Sequence, residues 1–356
     1  MERSVKLKDI AANLGLSIGT VQRALNNKGG YSAETQKRVL EEARRLNYQV
    51  NTAASSLRRN PMTLAAVLPR AERENRYFFR FVWKGIEKAL YDLSLYNITL
   101  RKYYAEPGST VALSAFSEIL EDEDMKGVIT YTTGTREEEE ALRRFREKGI
   151  PVYVINASAL EKENAGIIEE HTPGIGRLAA DIFESSCRDV SGQVLILGGP
   201  RKSLKHRERV DEFTSEMYSR CSGIMMTEMH LYDDLDVLTK QLDDMLESKG
   251  RLGGIFAVSS RETLRMCEAV RKAGLSGKLL TIGVDVFSEL LPYFDDGTLS
   301  ASVYQYPAQR VYVGVKNLVD AIESGDMKIR KMTFPIGTVF RTNAYSYTDP
   351  ESFFWK

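Results

Sequence analysis

From Thr63 onward, short apolar runs alternate with amphipathic stretches, and few architectures are compatible with that rhythm. The runs at 64–68, 98–103, 127–131, 151–155, 193–197, 254–258, 279–284 and 301–305 have the length and composition of strands, with a further short one at 166–168. Between them, 78–93, 113–120, 137–148, 175–184, 207–218, 235–247, 261–273 and 311–323 repeat apolar residues at helical spacing. Repeated strand–helix alternation implies parallel sheets with helices on both faces. So many strands overfill one small sheet, so the expectation is two similar doubly wound lobes.

Residues 5–48 follow a different pattern. Leu7, Ile10, Ala11 and Leu14 share one helical face. Gly15 can end that helix in a left-handed conformation, and Ser17 can cap the next by accepting a backbone N–H. Val21, Ala24 and Leu25 form the inner stripe of the second helix. Asn26, Asn27, Lys28, Gly29 and Gly30 read as a loop, and Ser32 caps a third helix with Val39, Leu40, Ala43 and Leu46 inward. Two helices joined by a short Gly-containing turn make a helix-turn-helix. Its second helix turns Ile18, Gly19, Gln22 and Arg23 away from the apolar stripe. Gln can bind an adenine edge bidentately, and Arg can bind a guanine or a phosphate.

Charge supports a nucleic-acid-binding end. The chain carries 49 Lys and Arg and 49 Asp and Glu, yet residues 1–60 hold eleven of the former and five of the latter. A segment of net +6 thus precedes a body of net −6. Residues 51–60 are small and polar apart from Leu57, and such a linker has little to bury alone. Cys187, Cys221 and Cys267 form no CxxC pair and read as reduced thiols. No signal-peptide pattern opens the chain and no run approaches a membrane span, so a cytoplasmic, nucleoid-associated protein without a membrane partner is expected.

Several motifs suggest catalysis and do not sustain it. Gly15, Ser17 and Gly19 match GxSxG, but a helix precedes them where a nucleophile elbow needs a strand. Gly174, Gly176 and Ala179 match GxGxxA, a dinucleotide fingerprint that is weak when it stands alone; a nucleotide-dependent enzyme using 174–179 is the rival reading. The run from Gly198 to Ser203 lacks GxxxxGK spacing. His171, His206 and His230 have no metal-ligand spacing and read as solvated or hydrogen-bonded loop residues. No catalytic set, metal or cofactor is expected.

The run from Val5 to Asn26, continuing through Ser32, Ala33, Glu34 and Thr35 and Leu46, Asn47 and Tyr48 to Leu57, resembles the headpiece of the lactose-repressor (LacI/GalR) family. Gln22 departs from the Ser usual there. More weakly, residues 63–324 resemble the family's effector domain, of the periplasmic sugar-binding-protein fold. The resemblance implies a headpiece at 1–50, a hinge-helix linker at 51–61, a two-lobed effector and dimerisation domain at 62–345 and a tail at 346–356. It implies DNA contacts from Lys6, Ser17, Ile18, Gly19, Thr20, Gln22, Arg23 and Asn26, with Leu57 wedged into the minor groove. It implies an effector cleft lined by Arg76, Phe78, Phe79, Asn156, Arg209, Ser259, Asp285 and Gln305. The implied partners are double-stranded operator DNA, a monosaccharide or sugar acid as effector, and a second copy of the chain in a homodimer, or a tetramer. Arg76 and Ser259 stand where Asn is common, and Asn156 where Asp is common. Two guanidiniums, Arg76 and Arg209, in one cleft would suit an anionic sugar.

Overall fold

The computed structural model describes residues 6–25, 29–46, 61–155, 167–171, 174–186, 193–201, 203–221, 223–230, 240, 244, 252–326 and 330–349. They fall into two compact units, one of residues up to Asn60 with Leu95–Asn97 and one of Pro61–Ser94 with the residues from Ile98 on.

The first unit holds three helices, α1 Leu7–Leu14, α2 Ile18–Leu25 and α3 Ala33–Arg45. Gly15 ends α1 at φ 63°, the left-handed conformation its missing side chain permits. Ser17 Oγ accepts the Thr20 backbone N–H at 3.0 Å, and Ser32 Oγ that of Thr35 at 3.1 Å. These caps set where α2 and α3 begin. Ile10, Ala11, Val21, Ala24 and Val39 form the buried centre, with Leu7, Leu14, Leu16, Leu25, Tyr31, Ala43 and Leu46 around it. Leu40, read as inward, is exposed; the α3 stripe runs through Val39 and Ala43 instead.

The second unit contains two six-stranded sheets. The first is ordered β2 (Ile98–Tyr104), β1 (Met62–Leu68), β3 (Met125–Tyr131), β4 (Val152–Ile155), β5 (Ile167–His171), β11 (Arg330–Thr333), all parallel. Central β1 is buried nearly throughout, as a strand covered on both faces must be. Helices α5 (Thr110–Glu121) and α6 (Arg136–Glu147) fill one face with Phe116, Ile119, Leu142 and Phe145. Helices α4 (Arg76–Asp92) and α11 (Pro307–Ser324) pack against each other, and α11 lies against β3, β4 and β5.

The second sheet is ordered β7 (Met225–Met229), β6 (Gln193–Leu197), β8 (Leu252–Ala257), β9 (Leu280–Val284), β10 (Ala301–Tyr304), β12 (Gly337–Val339). Only β12 runs antiparallel to its neighbour among these described strands. Helices α7 (Ile175–Ser186) and α8 (Leu204–Arg220) bury Phe183, Phe213 and Met217 on one face. Helix α9 (Ser260–Lys272) and the short α10 (Leu291–Asp295) cover the other. The chain passes between lobes three times: from β5 to α7, from β10 to α11 and from β11 to β12. Residues 344–347, assigned partly to a separate tail, form a 3-10 turn whose Tyr347 packs edge-on to Tyr304 at 4.9 Å, inside the second lobe's core. Most of the expected helix at 235–247 and the linker at 51–60 lie outside the described residues.

Candidate functional site

A cavity of about 340 Å³ lies between the lobes, at the ends of β3, β9 and β10. Ligands of open α/β sheets bind outside the carboxyl ends of strands, and this cavity is so placed. Its floor is one hydrogen-bonded network. Arg209 on α8 donates to the Val258 carbonyl at 2.7 Å and to Gln305 Oε1 at 3.0 Å. Gln305 Nε2 donates to Asp285 Oδ2 at 3.0 Å, and Ser260 Oγ donates to the same oxygen at 2.7 Å. Asp285 Oδ1 is buried with no hydrogen-bond partner. Burial raises the Asp285 carboxyl above its usual range, with Ser260 and Arg209 opposing, and burial lowers Arg209. Asp285 takes φ 69° and Tyr306, beside Gln305, φ 52°. Such left-handed strain in non-glycine residues concentrates at functional sites.

The opposite wall is aromatic. Phe78 and Phe79 each meet Tyr131 edge-on, with ring centroids 6.2 and 5.6 Å apart, and all three line the cavity. At the mouth, Glu74 from the first lobe pairs with Arg261 at 3.1 Å and Arg265 at 3.0 Å on α9 of the second.

The structure therefore brings Phe78, Phe79, Arg209, Ser259, Asp285 and Gln305 together around one cavity. It places Arg76 elsewhere. That guanidinium stacks over the Tyr77 ring and pairs with Glu289 at 3.1 Å, outside the lining, because α4 begins at Arg76 and points its first residue away from the cleft. The pairing of Arg76 with Arg209 around one ligand is thus corrected. Asn156, Asn26 and Leu57 lie outside the described residues. Two lining residues escaped the sequence reading. His206, expected in a loop, sits in the first turn of α8 with Nδ1 buried, and Glu262 stands 1 % exposed in the first turn of α9. A carboxylate inside an otherwise apolar helical stripe was the available signal for Glu262.

The GxGxxA run does not form a phosphate cradle. Glu212 Oε1 and Oε2 accept the backbone N–H groups of Gly174 and Gly176 at 2.9 and 3.1 Å, taking the donors a pyrophosphate would need. A Cβ at Gly176 would lie 2.2 Å from the Arg209 carbonyl oxygen, so that glycine serves the close approach of α7 to α8.

In the helical unit, Ser17, Ile18, Gly19, Gln22 and Arg23 are exposed, and Ile18 is 51 % accessible. Thr20 is partly buried; its hydroxyl bonds Ser17 Oγ at 2.9 Å and accepts from Arg23 at 3.4 Å. Lys6 precedes α1, its backbone N–H held by the Asp9 carboxylate at 2.7 Å.

Residues 6–51 match the model of bacterial regulatory proteins of the lacI family, and residues 66–326 match that of the periplasmic binding protein domain. The chain belongs to the lacI family. It is a DNA-binding transcriptional regulator with a sugar-binding type of effector domain. The ribose operon repressor of Halalkalibacterium halodurans is 23 % identical to this lacI-family regulator over 94 % of this chain and 96 % of that protein. The HTH-type transcriptional regulator RegA of Clostridium acetobutylicum is 27 % identical, and the alignment spans 46 % of each chain. An ABC transporter solute-binding protein from Burkholderia graminis, solved in complex with D-arabinose, shares the fold at TM-score 0.71 and 19 % identity over 81 % of this chain and 98 % of that one. Among the described residues no helix is long and apolar enough to cross a membrane.

Proposed function

We propose that this regulator works in the cytoplasm, on the nucleoid, as a homodimer, whose two headpieces contact the half-sites of a roughly two-fold-symmetric operator, and that a monosaccharide-class effector bound in the interlobe cleft controls that contact. A further dimer-to-tetramer association is compatible with the same mode. Lys6, Ser17, Ile18, Gly19, Thr20, Gln22, Arg23 and Asn26 are assigned to DNA, with Leu57 reaching the minor groove. Two half-sites one turn or a multiple apart match two headpieces.

The observation that carries the effector reading is the buried Arg209–Gln305–Asp285–Ser260 network in the cavity lining, with one Asp285 oxygen left without a partner. Sugar hydroxyls both donate and accept, so they complete such a network, and apolar sugar faces pack on Phe78 and Phe79. The D-arabinose bound to the Burkholderia graminis neighbour supports the class. Two lobes with three connections close about those connections when ligand bridges them. Closure coupled to headpiece spacing makes effector and operator affinity reciprocal. This role is non-enzymatic, and the Glu212-filled loop at Gly174 and Gly176 supports that choice.

The test is calorimetry of the full chain with a panel of monosaccharides and polyols, paired with operator binding in the presence of each ligand that binds. The expected result is one or more saturable ligands, lost in Asp285→Asn, that shift operator affinity. Binding of none, or ligand binding untouched by Asp285→Asn, overturns the assignment.

A further inference from the structure

Glu262 has no role in the network just described, yet it faces the same cavity. Its carboxylate is 1 % exposed, neither oxygen has a hydrogen-bond partner, and it enters no ion pair among the described residues. Across from it, His206 Nδ1 is also buried and without a partner. Gly199, between them at φ 67°, keeps the space open. A Cβ there would stand 2.5 Å from His206 Nδ1 and 3.3 Å from Glu262 Oε1.

The lining contains four carboxylates, Glu74, Glu106, Glu262 and Asp285, and two guanidiniums, Arg209 and Arg261, with Arg265 paired to Glu74 and buried Arg310 reaching Gln305 at 3.5 Å. Glu74 is engaged by Arg261 at 3.1 Å, and Glu106 accepts from Asn75 at 2.6 Å. Asp285 is bonded by Gln305 and Ser260, with Arg209 behind them. Glu262 alone of the four is bonded by no other residue. A buried carboxylate without a donor is costly, so such a group either takes up a proton or awaits a partner. Burial pushes the Glu262 carboxyl up to about 7, while its own backbone N–H and the charges of Arg261 and Arg209 pull it down only in part. Burial, with the charges of Arg209 and Arg261 adding to it, holds His206 well below its usual range, so its imidazole is neutral and offers one acceptor nitrogen.

We propose that the effector carries an ammonium group, as an amino sugar or aminated polyol does, and that Glu262 is its counter-ion with His206 Nδ1 accepting a further N–H. This rests on the reading of the cleft as a sugar site. An ammonium has three donors and no acceptor, which matches two open carboxylate oxygens and one open imidazole nitrogen in number and in kind. A neutral sugar hydroxyl satisfies one of these acceptors but leaves the charge unanswered.

Calorimetry of the full-length protein with D-glucosamine, D-galactosamine and D-mannosamine, each against D-glucose, D-galactose and D-mannose, tests the proposal. At least one amino sugar is expected to bind on the order of tenfold or more tighter than its neutral counterpart, the scale of one charge-assisted hydrogen bond. Glu262→Gln, which keeps the shape and removes the charge, is expected to shrink that preference to about twofold while neutral-sugar binding persists. Equal or weaker binding of every amino sugar, or a preference that survives in Glu262→Gln, overturns the ammonium. If neutral sugars still bind and depend on Asp285, the sugar site stands without it. Absence of binding by all six sugars overturns the ammonium, while the sugar site itself falls only if the wider panel of monosaccharides and polyols also fails to bind.

Discussion

The guanidinium of Arg209 meets the side-chain amide of Gln305 at 3.0 Å, joining helix α8 to the segment through which β10 crosses into α11. The second guanidinium nitrogen holds the Val258 carbonyl at the end of β8. One planar fork thus fixes two backbone segments, and Gln305 passes the constraint to Asp285 through its amide nitrogen.

Lys at position 209 cannot reproduce that fork, since an ammonium makes point contacts from a flexible stem. Arg209→Lys is expected to lower effector affinity about tenfold or more, with Gln305 Oε1 or the Val258 carbonyl losing its donor. Effector titration by calorimetry checks this, and a melting curve run alongside separates it from global unfolding. Unchanged affinity means that Arg209 serves packing alone.

Glu262 offers a stability test that needs no ligand. Its carboxyl is raised in the folded protein from 4.5 to about 7, so folding is opposed by its ionisation. The folded state binds more protons than the unfolded chain between those values, and stability falls as pH rises through that window. Below it the carboxyl is protonated in both states and contributes nothing. Glu262→Gln is therefore expected to match the parent at the acid end and to exceed it above pH 7 by up to about 3 kcal/mol. Denaturant unfolding at several pH values measures the gap. A gap that is constant with pH assigns it to packing.

Arg76 makes the opposite prediction. Its ion pair with Glu289 has both side chains roughly two-fifths exposed, at 41 % and 38 %. Pairs of that kind contribute about 0–1 kcal/mol. Arg76→Gln is expected to leave effector affinity and selectivity unchanged and to move the melting temperature only slightly. A change of preference between neutral and acidic sugars in this variant would restore Arg76 to the cleft.

Arg209, Asp285 and Gln305 were legible through the family resemblance; Asp285 and Gln305 directly follow β9 and β10, and strand ends converge in this architecture. The eight main strands announced themselves through apolar runs. Three others did not. β7 at the sheet edge has an exposed Met225 and a polar middle, β12 has three residues, and β11 reads Arg-Lys-Met-Thr. Edge strands bury one face or less, so their hydrophobic signal is weak. Arg76 was misplaced for a different reason: sequence gives the helix, but its first residue's direction depends on where the preceding 3-10 turn at Arg73–Asn75 sets the axis. Glu262 and His206 stand 56 positions apart, and only the tertiary fold brings them to the two sides of Gly199.

The headpiece separates a stability residue from a reading residue on the same helix. Ser17 caps α2 through the Thr20 N–H, and Ser17→Ala is expected to cost about 1 kcal/mol of headpiece stability. Arg23 is exposed one turn further on, and its described contact is a 3.4 Å bond to the Thr20 hydroxyl. Arg23→Ala should leave folding nearly intact yet weaken specific operator binding by about 1–3 kcal/mol. The two roles of an exposed Arg differ in their salt response. If Arg23 binds a base edge, discrimination between operator and mutated operator falls at that position. If it neutralises a phosphate, affinity falls evenly across sequences and the slope of log affinity against log salt shrinks by about one. Gln22, beside it and also exposed, is the comparison: Gln22→Ala removes no charge, so the salt slope should hold while base preference relaxes. Fluorescence anisotropy with selected operator fragments at several salt concentrations reads both. Two variants that bind like the parent would move the reading surface off this face of α2.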